Sequence, residues 1–243
     1  MLQIDDQLPH LSAEQLLRLE QPQMSLPGFN QQVPDTIPRN LKMTIKATKR
    51  EYRDCRRCRN AIEQIITLPK PGESLHFIVD GLYEPVNLIP AVRFLSKPAL
   101  IKKLTITTLG LNRDNVELIA YGMDQGKILD CSIITSHAFK ELDWDEYAYL
   151  KAEIQDKRGG RVNGVRSHCK LMLLEMSDGN WYTIEGSGNM RSCQSIEQFV
   201  MTNDEGLLKF HRGWLESYLE SRGDGKDDTI KKQANPKKSK AMA

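Results

Sequence analysis

The sequence predicts an α/β protein: a mixed, mostly parallel sheet flanked by helices, with arm-like or disordered ends. Three observations carry this. Strand-like and helix-like apolar patterns alternate over residues 46–160, the signature of parallel strands joined by helical crossovers. Residues 165–202 read instead as successive strands joined by a tight turn. The first forty residues and those after 220 carry neither pattern in a sustained form.

Along the chain, Ser12 with Gln15 three residues on opens a short capping-box pattern with Leu16, Leu17 and Leu19. Pro22, Pro27, Pro34 and Pro38 then break regular structure, so residues 1–40 are expected to form an arm or linker. Residues 46–67 read as a helix, with Tyr52, Cys55, Ile62, Ile65 and Ile66 on its apolar side and arginines opposite. Pro69 and Pro71 end it. Residues 75–79 form an apolar strand pattern closed by Asp80-Gly81. A helix follows from Pro85 to Leu95, then a β-rich run over 101–109. Asn112 caps a helix through Met123, and 128–135 is the next strand. A helix over 144–157 is closed by Gly159-Gly160. Strands are expected over 165–176, 181–185 and 197–202, the first two joined through Asp178-Gly179 as a hairpin. Asp204 caps a final amphipathic helix bearing Leu207, Leu208, His211, Trp214, Leu215 and Tyr218. The body of the protein is thus expected over 41–220, with a disordered basic tail over 221–243.

Composition narrows the function classes. The chain of 243 residues is 40% apolar and 27% charged, ordinary for a globular protein. No apolar run approaches the ~20 residues of a membrane-spanning helix, and the acidic start lacks the basic and apolar regions of a signal peptide. Five cysteines, an odd and small number, argue against a disulfide scaffold. The expectation is a reduced, cytoplasmic protein that does not engage membrane. The net charge of +2 is unevenly spread: −4 over 1–38, +7 over 39–59, −5 over 60–220 and +4 over 221–243. Such segregation points to an anionic partner for the basic segments, while basic tails on their own also serve solubility.

The chemistry-bearing stretch is 167–199. His168 and Lys170 lie two apart on an expected strand and so would share a face. Across the hairpin comes Gly186-Ser187-Gly188-Asn189, and Glu197 opens the next strand. A histidine, an ammonium, a hydroxyl, an amide and a carboxylate therefore converge from adjacent strand ends. This set suits a phosphodiester. Histidine serves as nucleophile or general acid near neutral pH. Lysine and asparagine hold non-bridging oxygens, and a carboxylate fixes an imidazole tautomer. Other groups carry less. Cys55 and Cys58 form a lone C-x-x-C, two ligands short of a structural zinc site unless Cys131, Cys169 or Cys193 approach. Strand alternation would turn Cys169 to the core side. His76 and His137 read as core or loop histidines. Arg158-Gly-Gly-Arg161 reads as a helix end and turn, not a P-loop.

The pair H-x-K and G-S-x-N, followed by a glutamate, resembles the single-motif branch of the phospholipase D superfamily, typified by Nuc-type bacterial endonucleases. The likeness covers about residues 46–220 in element order and is sharpest over 165–200; Glu175 stands where the family motif has aspartate. The resemblance implies that His168 attacks phosphorus, Lys170 and Asn189 hold phosphoryl oxygens, Ser187 hydrogen-bonds in the same pocket and Glu197 orients the imidazole. It implies no metal and no other cofactor. The family uses two motif copies and this chain has one, so a homodimer is expected. Arg161, Arg166 and Arg191, near the motif, and Arg53, Arg56 and Arg57, in the basic run, are the candidate contacts to a nucleic acid, DNA or RNA. Two alternatives stand beside this nuclease reading: a phospholipid-hydrolysing member, and a non-catalytic nucleic-acid-binding or assembly module.

Overall fold

The structure, a computed structural model, describes residues 49–54, 60–79, 84–191 and 195–220. The expected arm, the expected tail and Cys55, Arg56, Arg57, Cys58 and Cys193 lie outside the described residues. Among the described residues, eight strands form one mixed sheet in the order β1-β2-β8-β7-β6-β3-β4-β5. The strands are β1 (Lys49–Asp54), β2 (Glu73–Val79), β3 (Ile101–Thr108), β4 (Cys131–Ser136), β5 (Arg161–Val165), β6 (Leu171–Met176), β7 (Trp181–Gly186) and β8 (Glu197–Asn203). The helices are α1 (Ala61–Ile65), α2 (Leu88–Leu95), α3 (Arg113–Asp124), α4 (His137–Leu142), α5 (Trp144–Leu150), which runs on into a π-helical turn (Lys151–Asp156), and α6 (Glu205–Glu220).

Pairing is parallel at the flanks (β1 with β2, and β3 with β4 with β5) and antiparallel through the centre. The two regimes follow from connection length. Each parallel pair is joined through a helix, whereas β6 and β7 need only the turn at Asp178-Gly179, where Gly179 adopts φ 85°. Alternation along the strands gives the sheet two apolar faces. Leu104, Ile106, Ile133, Met172, Leu174, Ile184 and Phe199 pack with α2, α3 and α5 into the larger core. Ile134, Leu171 and Leu173 face the other way and pack under Leu208 and Leu215 of α6. Caps fall where the sequence places them: the Asn112 side chain accepts from Asn115 N–H at 2.8 Å, and Asp204 accepts from Leu207 N–H at 2.6 Å.

Two expectations are corrected. Residues 49–54 are not helical. They form β1, an edge strand parallel to β2, and among the described residues of the expected helix only Ala61–Ile65 is helical. Tyr52 and the pair Ile62 and Ile65, read as one helix face, belong to two different elements. The expected strand over 165–176 is also two strands. β5 pairs only with β4, while β6 pairs with β3 and β7, so two strands stand between them. Residues 166–170 cross the ends of those strands, and His168 and Lys170 sit on this crossing rather than on a strand.

Candidate active site

One edge of the sheet gathers every residue of the two motif segments. Val79 pairs with Glu197, Gly186 with Phe199, Leu171 with Glu185, and Thr107 with Leu171. The ends of β2, β3 and β7 and the starts of β6 and β8 therefore lie side by side, ~4.8 Å from strand to strand. His168 and Lys170 precede β6, Ser187 and Asn189 follow β7, and Glu197 opens β8. This is the carboxyl edge of the parallel strands, where open α/β sheets hold their ligands.

The glycines of the second segment are set by one ring. A Cβ on Gly186 would stand 2.2 Å from Phe199 Cδ1, and one on Gly188 2.9 Å from Phe199 Cζ. With no side chain at either position, the loop lies on the ring and turns Ser187 outward. The Ser187 hydroxyl donates to Glu197 Oε2 and accepts from Gln198 N–H at 3.1 Å. Ser187 is thus fixed between β7 and β8, and the carboxylate partner in place is this hydroxyl. Asn189 Oδ1 accepts from Leu109 N–H at 3.4 Å, which leaves its Nδ2 as donor.

The end of β3 ties the two segments together. Thr107 Oγ1 donates to the carbonyl of Cys169 at 2.6 Å, between His168 and Lys170. Thr108 Oγ1 accepts from Met190 N–H at 3.2 Å, next to Asn189. Both threonines are buried. Sequence reasoning read Thr107 and Thr108 only as strand formers. The signal was present, since two hydroxyls end a strand at the sheet edge where the motif lies.

Electrostatically the edge favours an anion. His168 is exposed and Lys170 half-buried, its ammonium donating to the His168 carbonyl at 3.3 Å. Arg166 is exposed on the same crossing. The nearby carboxylates already hold partners: Glu197 has Ser187, and Asp143 has Arg191 at 2.8 Å. Cys169 is exposed, contrary to expectation, because a crossing segment does not alternate as a strand does. Cys131 is buried at the opposite end of β4, and burial pushes its thiol well above the ordinary range. Among the described residues no cluster of three or more His, Cys, Asp and Glu could hold a metal ion, and no helix is long and apolar enough to cross a membrane.

The other expected contacts separate. Arg191 adjoins the site but is occupied, donating to the Leu111 carbonyl at 3.1 Å, pairing with Asp143 and lying 5.0 Å over the Phe139 ring. Arg161 is corrected: it begins β5, at the edge opposite the motif, and its guanidinium grips both oxygens of Glu216 at 2.6 and 3.0 Å. Arg53 is on β1, four strands from β6, and is paired with Glu51. Glu175 ends β6 at that opposite edge. Burial raises its pKa, but Arg212 at 2.6 Å and Lys102 at 3.0 Å outweigh burial and hold it below the ordinary carboxylate value. Its work is to fasten α6 to the sheet.

No protein-family model matches the chain, and no curated protein matches it in sequence. Among solved structures, the chain is similar to polyphosphate kinase from Porphyromonas gingivalis, with a TM-score of 0.44 and 13% identity over 61% of this chain and 26% of that one. It is similar also to phosphatidylserine synthase from Haemophilus influenzae Rd KW20, with a TM-score of 0.42 and 16% identity over 60% of this chain and 38% of that one. The chain thus spans between a quarter and two-fifths of the length of these two proteins.

Proposed function

We propose that the chain is a phospholipase D-like phosphodiesterase, a nuclease that works without metal through a phosphohistidine at a site shared by two copies. The observation that supports this is the arrival of His168, Lys170, Ser187, Asn189 and Glu197 at one sheet edge from three strand ends. In the first step an imidazole nitrogen of His168 attacks phosphorus. The P–O bond to the leaving group breaks, and that oxygen takes a proton from the His168 of a second copy. Lys170 and Asn189 Nδ2 hold the non-bridging oxygens as charge grows on them. In the second step water attacks phosphorus and gives its proton to the second histidine. The P–N bond breaks, releasing a phosphomonoester and restoring His168. Glu197, hydrogen-bonded to Ser187, fixes that hydroxyl at the same edge.

The test is hydrolysis in EDTA of a generic phosphodiester, of single- and double-stranded DNA and RNA, and of a phosphatidyl ester, with His168→Ala alongside. Metal-free cleavage of nucleic acid that His168→Ala abolishes is expected. Activity that survives the substitution, or that EDTA removes, overturns the reading. Cleavage of the phosphatidyl ester alone replaces the substrate class, and binding of nucleic acid without cleavage replaces the enzyme by a binding module.

A further inference from the structure

On the sheet face that carries α6, strands β1, β2 and β8 lie beyond the helix, which packs on β4, β5, β6 and β7. Register sets Tyr52, His76, Val200 and Glu185 in one transverse row, which reaches α6 at Leu171. Tyr52 keeps 45% of its surface exposed and Ile78, one row on, 42%. The Tyr52 ring stacks on the His76 imidazole with centroids 4.9 Å apart and planes at 28°. Burial, with the charge of Arg50 added, lowers the His76 pKa, so at neutral pH the pair is flat and uncharged. Arg50 is exposed one row away on the same face, inside the stretch 39–59 that carries +7. In the other direction Ile78 pairs with Gln198, whose backbone amide is bonded to Ser187. Among the described residues the open face therefore carries in turn a cation, an aromatic pair and the motif edge.

We infer that this open face of β1, β2 and β8 is a platform for single-stranded nucleic acid, stacking an unpaired base on Tyr52 and leading the backbone toward the Ser187 edge. The inference takes its phosphodiester from the function proposed above and names the strandedness of the substrate. A base offers a ring its π-face only when unpaired, and aromatic side chains on an open sheet are used in this way. Duplex would present phosphates to Arg50 and leave the Tyr52–His76 pair unused. A second copy packed on this face about a two-fold axis would set Arg50 against another Arg50, whereas an anionic strand matches it.

The experiment uses the full chain carrying His168→Ala, in EDTA, with fluorescent oligo(dT), oligo(rU) and a duplex of equal length read by anisotropy. Tighter binding of the single strands is expected. Tyr52→Ala should weaken it about tenfold, the value of one stacked base, and Tyr52→Phe should restore it. Ile78→Gln, also exposed, repeats the test if Tyr52→Ala proves unfolded by circular dichroism. Equal single-strand binding by the parent and both variants, or preference for duplex, overturns the inference. So does a loss of dimer in light scattering on Tyr52→Ala with binding unchanged, which would give the face to a second copy. Tyr52-dependent binding by a chain whose wild type cleaves nothing supports the platform and removes only the catalytic reading.

Discussion

Gly186 and Gly188 hold their places because Phe199 fills the space where side chains would go. Gly186→Ala forces the Phe199 ring or the loop to shift, since the nearest ring carbon would lie at 2.2 Å. The expected cost is about 1–3 kcal/mol of stability, read as a lower midpoint in urea, together with loss of cleavage as Ser187 moves. Thr107 makes a sharper case because it touches no reacting atom. Thr107→Val keeps the shape but leaves the Cys169 carbonyl without its donor at 2.6 Å, so the His168 segment loosens. A fall in kcat of about 10- to 100-fold is expected for a displacement of this kind, with KM little changed and with rescue by Thr107→Ser. A stability loss alone, with kcat intact in the folded fraction, would give Thr107 a purely structural role.

Helix α6 is fastened by charge as well as by Leu208 and Leu215. Glu216 sits between Arg161 and Lys103. The hydrogen bond from Arg161 outweighs burial, and with Lys103 it depresses the carboxyl from 4.5 to about 2. A depressed carboxylate stabilises the fold above its unfolded value and loses that contribution as pH falls through its folded one. Glu175, also lowered, acts in the same direction. The helix should therefore loosen as pH drops from 4.5 toward about 2. Glu216→Gln should flatten the acid side of a thermal-melt series between those limits, and an unchanged acid limb would remove this account. The caps of α3 and α6 and the β6–β7 hairpin were legible in the sequence because each is decided within a few residues by Asn112, Asp204 and Asp178-Gly179. The edge strand β1 and the break between β5 and β6 were not. Both depend on partners remote in sequence, Glu73–Val79 for β1 and the interposed β3 and β4 for β5 and β6. The motif residues could be picked out by type, yet their setting on a crossing, the Thr107–Thr108 tie and the distance of Arg161 became visible only with the strand order.

At the scale of the whole molecule, one motif copy per chain leaves the proposed two-histidine reaction one histidine short. Light scattering should give twice the 27.8 kDa chain mass. Mixing wild type with a fixed excess of His168→Ala, under conditions that exchange subunits, should lower activity per wild-type chain, because mixed dimers lack one of the two groups. A strict monomer that still cleaves would require a second acid from within the chain. Binding to nucleic acid should weaken steeply with salt, since the phosphate contacts displace counterions.

The strand order also bears on when the molecule becomes competent. β8 lies between β2 and β7, and the hydroxyls of Ser74 and Thr202, 128 residues apart, meet across that seam. Glu197 and the bond that fixes Ser187 arrive with this late strand. During synthesis, a chain still on the ribosome has made His168 and Lys170 while the edge beside them is open. Such long-range closure is slow and comes after the local hairpin. The edge that carries His168 and Lys170 would then be complete only after the C-terminal part has emerged and folded back, so any activity placed there switches on late.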